Sequence, residues 1–313
     1  MKKILMITLV GFFLIVGLYV GATFIGEQSL INIFGGDAPN TFGFSEQVDW
    51  GGGELLTGLT AYYKLDNSSG VIYDMTRNYD GVNSGASRGQ AGIINDGVWF
   101  LGAGTDYLKE FGMPIDPQEL NFTVSVWLNS TDLTGVHRAV SSLTAISGNS
   151  RFNIYTTGNK LAILQHRDWA ISLTGTTVLP LNTWYHVVLV SNDTGITGYL
   201  NGVEEIGGTA TGDIFYIANQ GIHMGAMYFN GALDGNRWDG NIDEVGFWNR
   251  SLTEDEIVLL YNSGVGNSYP FSSGGGTITL NSPADDSISA SPEVTFNATA
   301  NITSGSANIT NMS

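Results

Sequence analysis

At 313 residues with a hydrophobic fraction of 42%, the chain can bury a sizeable core as one large domain or two modest ones. Its 12 basic and 29 acidic residues give a net charge of −17. That balance excludes nucleic acid as a partner, because nothing here neutralises phosphates. The absence of cysteine excludes disulfides, cysteine-ligated zinc, iron–sulfur clusters and a thiol nucleophile.

In chain order, Lys2 and Lys3 precede an uncharged apolar run from Ile4 to Ile25. As a helix this run is long enough to span a bilayer core. Residues 1–26 are therefore a transmembrane anchor or a signal peptide. The leading lysines place the N-terminus inside and the remainder outside. Val20-Gly21-Ala22 suits signal-peptide cleavage, so anchor and cleaved leader both stay open. Either outcome makes the rest of the chain extracytoplasmic, membrane-anchored or secreted. Nine Asn-x-Ser/Thr sequons, at Asn67, Asn121, Asn129, Asn192, Asn249, Asn297, Asn301, Asn308 and Asn311, are compatible with that location. A chain this rich in Asn, Ser and Thr also yields several by chance.

Residues 27–57 form a spacer interrupted by Gly35-Gly36, Pro39 and Gly51-Gly52-Gly53. The body, 58–265, is built of short strands. Residues 123–128 alternate, with Val124, Val126 and Leu128 on one face. Residues 184–190 are apolar at nearly every position, as in a strand buried on both sides. Asn201-Gly202 and Thr157-Gly158-Asn159 predict two hairpins. Thr253-Glu254-Asp255-Glu256 is a capping box opening a short C-terminal helix, with Ile257, Leu260 and Tyr261 as its apolar stripe and Gly264 as its stop. A Gly/Ser linker, 266–276, leads to a tail, 277–313. There, residues 277–280 and 294–296 look like the first strands of an immunoglobulin-like module that is only partly present.

Seven pieces of the body occur in an order that resembles one known family. They are Gly58-Leu59-Thr60-Ala61-Tyr62-Tyr63 with Lys64-Leu65-Asp66; Asp74-Met75-Thr76-Arg77-Asn78 through Gly81; Phe100-Leu101-Gly102 through Tyr107-Leu108; Phe122 to Trp127; Trp184-Tyr185-His186-Val187; Tyr199-Leu200-Asn201-Gly202; and Gly240-Asn241-Ile242-Asp243-Glu244-Val245 followed by Asn249-Arg250-Ser251-Leu252-Thr253. No single piece is specific, but their order is similar to the LamG-like jelly-roll family within the concanavalin A-like lectin and glucanase superfamily. The resemblance implies an all-β fold, a two-sheet antiparallel jelly-roll sandwich. It also implies binding of sugars, proteins or matrix, often with a structural Ca2+.

Calcium wants six to eight oxygens. Asp74, Thr76 and Asn78 offer oxygen-bearing side chains at alternate positions of one turn, and Asp243 stands at the second position that the family uses. Arg77 departs from the family, which often has glycine there. The alternative is that Asp74 caps its own turn and Asp243 bonds a loop. For glycan contact the candidates are the aromatics in polar, turn-like segments, Trp238, Tyr228 and Trp169, with Asp234 and Asn236 for hydroxyl groups. Trp127, Trp184, Trp248 and His186 sit on strands and read as core.

Catalysis has little support. The E-x-D-x-x-E spacing that would place two carboxylates for glycoside hydrolysis is missing around Asp243. Gly85-Ala86-Ser87-Arg88-Gly89 lacks the strand and helix of a nucleophile elbow. The segment from Asp234 lacks the glutamate that closes an EF-hand. The sequence therefore reads as a non-enzymatic extracytoplasmic binding or adhesion module for a glycan or a surface protein. A purely structural module is the alternative, and a glycoside hydrolase a remote one.

Overall fold

The computed structural model describes residues 52–109, 111–116, 119–142, 152–167, 170–210, 221–229 and 232–271, with short pieces at 15–16, 18–19, 48–49, 212, 275–280 and 298–302. The chain divides into two compact units. One comprises Ser45–Ile278 and Ala300–Ser313 and holds the body. The other comprises Met1–Phe44 and Thr279–Thr299; in it Ile15–Val16 pairs antiparallel with Leu18–Tyr19. The rest of the expected apolar N-terminal helix lies outside the described residues. No helix among the described residues is long and apolar enough to cross a membrane.

The body is a sandwich of two antiparallel sheets. Its strands are β1 (Leu59–Tyr63), β2 (Val82–Ser84), β3 (Ser87–Ala91), β4 (Asp96–Phe100), β5 (Tyr107–Lys109), β6 (Phe122–Ser130), β7 (Val136–Ser142), β8 (Phe152–Thr157), β9 (Lys160–His166), β10 (Ala170–Val178), β11 (Trp184–Asn192), β12 (Gly195–Leu200), β13 (Val203–Thr209), β14 (Ile222–Met224) and β15 (Gly240–Trp248). The seven-stranded sheet runs β10-β9-β8-β7-β14-β5-β2. The eight-stranded sheet runs β13-β12-β11-β6-β15-β4-β3, with β1 also paired to β15. Both expected hairpins form. Asn159 follows Gly158, and Asn201 precedes Gly202, all at positive φ, which fits the twist of a two-residue turn.

The main core lies between the sheets: Val124, Val126 and Leu128 of β6 meet Phe152, Ile154, Leu161 and Ile163. β11 is buried on both faces as expected. Val187 and Leu189 join this core, whereas Val188 and Val190 join a second cluster under the C-terminal helix Glu254–Tyr261. That helix has the expected capping box, with Thr253 and Glu256 bonding reciprocally. It stops earlier than expected: Asn262, not Gly264, takes the left-handed cap, and Ser263 is left-handed as well. Leu55, from the short helix Gly52–Leu56, and Phe271 also pack in the second cluster. The packed body thus reaches beyond 58–265 at both ends, because the outer face of the eight-stranded sheet needs an apolar cover. In the tail, residues 277–280 fall within the strand Gly275–Leu280, and a second strand is Ala298–Ile302; residues 294–296 lie outside the described residues.

Candidate functional site

Two groups of polar residues stand out in the body, and the first is the expected calcium set. Asp74 is 1% exposed. Its Oδ1 accepts the amides of Tyr62 (2.9 Å) and Thr76 (3.0 Å). Its Oδ2 accepts the Thr76 hydroxyl (2.6 Å) and the amides of Asn78 (3.0 Å) and Tyr79 (3.1 Å). The turn therefore wraps N–H and O–H donors around the carboxylate, where a cation would need oxygens. Arg77 adopts φ 65, which accounts for glycine being favoured at this place.

Asp243 is fully buried and does the same work for another loop. Its Oδ2 accepts the amides of Ile93 (2.9 Å) and Ile94 (3.2 Å), and its Oδ1 accepts that of Glu244 (2.9 Å). A Cβ on Gly92 would stand 2.4 Å from Oδ2, so only glycine lets the loop approach. Glu244, at φ 47 in a β-bulge, accepts the Tyr62 hydroxyl at 2.5 Å. Burial, then the charge of Glu244, push the Asp243 carboxyl up to about 9; burial likewise pushes Glu244 up to about 7. Among the described residues no three His, Cys, Asp or Glu side chains gather as metal ligands. The donor set does not fit Ca2+: Asp74, Thr76 and Asp243 are engaged as turn and loop locks, and the exposed Asn78 side chain donates its Nδ2 to the Thr76 hydroxyl.

His186 is also structural. Its Nε2 lies 2.8 Å from the Ser125 hydroxyl, its ring stacks near Trp127 and Tyr261, and burial lowers it to about 3. Ser87 of the G-x-S-x-G stretch opens edge strand β3, just after the crossing from one sheet to the other.

The second group lies on the outer face of the seven-stranded sheet. Along β8, Phe152 and Ile154 point into the core, so Asn153 and Tyr155 lie on the opposite face of the sheet, where both are nonetheless buried (1% and 8% exposed). Arg138 of β7 is paired in register with Tyr155, and its guanidinium carbon sits 5.4 Å above the Tyr155 ring. The Tyr155 hydroxyl is 2.7 Å from the Ser172 hydroxyl. Arg138 Nε donates to Asp234 Oδ2 at 2.8 Å, both side chains remaining 17–20% exposed. Asn236 Nδ2 donates to both Asp234 oxygens at 3.0 and 3.1 Å, and the Asn236 carbonyl accepts the Arg138 amide at 3.0 Å. Burial alone would raise the Asp234 carboxyl; the bonds from Arg138 and Asn236 outweigh it and hold the group below the usual range.

The structure thus brings Asp234 and Asn236 together with Arg138, Tyr155 and Ser172. Trp238 is a correction: it is fully buried in the main core, its Nε1 donating to the Asn241 carbonyl at 3.2 Å, so it cannot stack on a sugar. Of Tyr228 only the backbone is described, in the pairing Tyr228–Phe229 with Ala232–Leu233; Trp169 lies outside the described residues. Arg138 and Tyr155 were missed by sequence reasoning. Their signal was a charged or amphipathic residue alternating with apolar ones in mid-strand, in Val136-His137-Arg138-Ala139-Val140 and Phe152-Asn153-Ile154-Tyr155.

Known proteins agree with this architecture. A model described as the concanavalin A-like lectin/glucanases superfamily matches residues 102–258, half of the chain. Domain 4 of AbnA, a GH43 extracellular arabinanase from Geobacillus stearothermophilus solved with arabinotriose, is 20% identical with a TM-score of 0.52, over 67% of this chain and 98% of that one. Trypanosoma rangeli sialidase solved with sialic acid is 19% identical with a TM-score of 0.51, over 67% of this chain but 34% of the sialidase. The binding domain of Paraclostridial Mosquitocidal Protein 1 is 16% identical with a TM-score of 0.51, over 66% of this chain and 52% of that one. No curated protein matches the chain. Both the family match and the two-sheet sandwich lead to one conclusion: the chain belongs to the concanavalin A-like lectin/glucanases superfamily.

Proposed function

We propose that the chain is a non-catalytic, extracytoplasmic glycan-binding module whose recognition face is the outer side of the seven-stranded sheet. The observation that carries this reading is the part-exposed Arg138–Asp234 pair seated over the Tyr155 ring. Sugars are recognised by an aromatic face against their C–H groups and by fixed polar groups that order their hydroxyls. The face supplies both: the small exposed part (8%) of Tyr155, under the Arg138 guanidinium, as apolar contact, Asp234 as acceptor, and Asn236 and Arg138 as donors. The arabinotriose and sialic acid bound to two structural neighbours support sugar as the ligand class. The lysine-flanked apolar N-terminus supports an extracytoplasmic location with a membrane anchor or a cleaved leader.

A glycan array probed with the full chain tests the reading. Saturable binding to at least one oligosaccharide, lost in Asp234→Ala, is expected; an array silent at millimolar ligand overturns it. Adhesion to a surface protein is the second reading, favoured by the same part-exposed face, and shows as retained protein capture with a silent array.

A further inference from the structure

His137 stands beside Arg138 on the strand that carries the recognition face. Its Nδ1 lies 2.9 Å from the Arg237 carbonyl and its Nε2 lies 2.7 Å from the Thr134 carbonyl. A carbonyl oxygen only accepts, so each contact is a hydrogen bond only when that ring nitrogen carries a hydrogen. Neutral imidazole has one N–H and imidazolium has two. The observed geometry is therefore fully satisfied only by the protonated ring. In the neutral ring, one nitrogen lone pair faces a carbonyl oxygen at under 3 Å.

What the ring grips is the segment that builds the face. Arg237 follows Asn236, and the Asn236 carbonyl accepts the Arg138 amide at 3.0 Å. Residues 138 and 237 form a parallel bridge, and Asp234 in the same segment receives Arg138 Nε. We propose that His137 is a positioning residue that clamps the 234–237 segment in its protonated form, so that the recognition face weakens as pH rises. This rests on the glycan-binding reading above.

The surrounding charges are of both signs. The nearest carboxylate is Asp132, with Oδ2 at 3.9 Å from Nε2. The Thr134 hydroxyl and amide hold the Asp132 carboxyl below its usual range, the charge of His137 adding to this. Asp239, the carboxylate that follows in the same segment, accepts the Thr131 hydroxyl at 2.9 Å. The cations on the neighbouring strands are Arg138, already paired with Asp234, Arg237 itself and Lys160 of the adjoining β8–β9 hairpin. The ring is 12% exposed, so protons reach it from solvent. The sign is fixed by the two carbonyls. The clamp is complete when both ring nitrogens carry hydrogen and is released when raising the pH removes one of them.

The test uses the full chain labelled with 15N-histidine, whose four histidines give a simple spectrum. Both His137 ring nitrogens are expected to carry hydrogen at the acidic end of the titration. Loss of one on raising the pH should shift the Asn236 and Arg237 amides with the same midpoint. In parallel, arabinotriose affinity should fall about three- to tenfold over that range, as when one charge-assisted bond is lost, and stay flat in His137→Gln. Titration of His137 with unmoved Asn236 and Arg237 amides overturns the proposal, as does arabinotriose binding that is equally pH-independent in the parent chain. Coupled amide shifts in a chain that binds no arabinotriose at any pH support the clamp and sink the arabinotriose reading instead.

Discussion

The two sheets of the sandwich use the same residue types for opposite ends. Against the eight-stranded sheet, Asp243, Glu244 and His186 are sealed from water, where Asp243 holds backbone amides, Glu244 Oε2 holds the Tyr62 hydroxyl and His186 Nε2 meets the Ser125 hydroxyl. On the outer face of the seven-stranded sheet, Arg138 and Asp234 are paired yet reachable, over an aromatic ring. The difference teaches that access to solvent, not residue type, separates a structural lock from a recognition group.

Substitutions sharpen that contrast, and the largest effect belongs to the core. Trp238→Ala removes a fully buried side chain from between the sheets. Chemical denaturation should show a loss of about 3–5 kcal/mol; a loss under about 1 kcal/mol would return Trp238 to the surface. Next comes Asp74→Ala, which strips five donors of their shared acceptor. A loss of about 2–4 kcal/mol is expected, equal in EDTA and in calcium. A melting temperature that climbs several degrees with calcium in the parent chain, and not in the variant, would restore the ion site.

The buried acid pair gives a pH signature. Folding raises Asp243 to about 9 and Glu244 to about 7, so the folded state holds more protons than the unfolded one above the ordinary carboxyl range. Their contribution is full at low pH and is lost as pH rises through those values. The urea midpoint should therefore decline between about pH 5 and 9, and Asp243→Asn with Glu244→Gln should flatten the slope. A midpoint that rises over this range would contradict the assignment. The smallest effect is at the sandwich edge. Glu205 accepts the amides of Thr176 and Thr177 at 2.5 and 2.7 Å, close to solvent. Glu205→Ala should cost under about 1 kcal/mol, read as a small shift in melting temperature.

Much of the fold was legible because it is written in local chemistry. Asn201-Gly202 can take the left-handed turn, Thr253 and Glu256 can cap a helix, and residues 184–190 can be buried on both sides. The site was legible only in part. Asp234 and Asn236 stood out as polar residues in a turn-like stretch. Trp238, in the same stretch, looked exposed by its neighbours but dives into the core, since a polar loop can still plant one large apolar anchor. Asp74 and Asp243 carried the right atoms for calcium. Which donors fill those atoms depends on how amides 60 to 94 fold around them, and no spacing rule reports that. Arg138 and Tyr155 are distant in sequence and meet only through the register of β7 and β8.

The most direct measurement is calorimetric titration of arabinotriose into the parent chain, Tyr155→Ala and Asp243→Asn, each checked for folding by circular dichroism. Binding that falls at least about tenfold in Tyr155→Ala, the loss of one apolar contact, and persists in folded Asp243→Asn is the expected result. Binding untouched by Tyr155→Ala and abolished by Asp243→Asn would contradict it and move recognition to the other sheet.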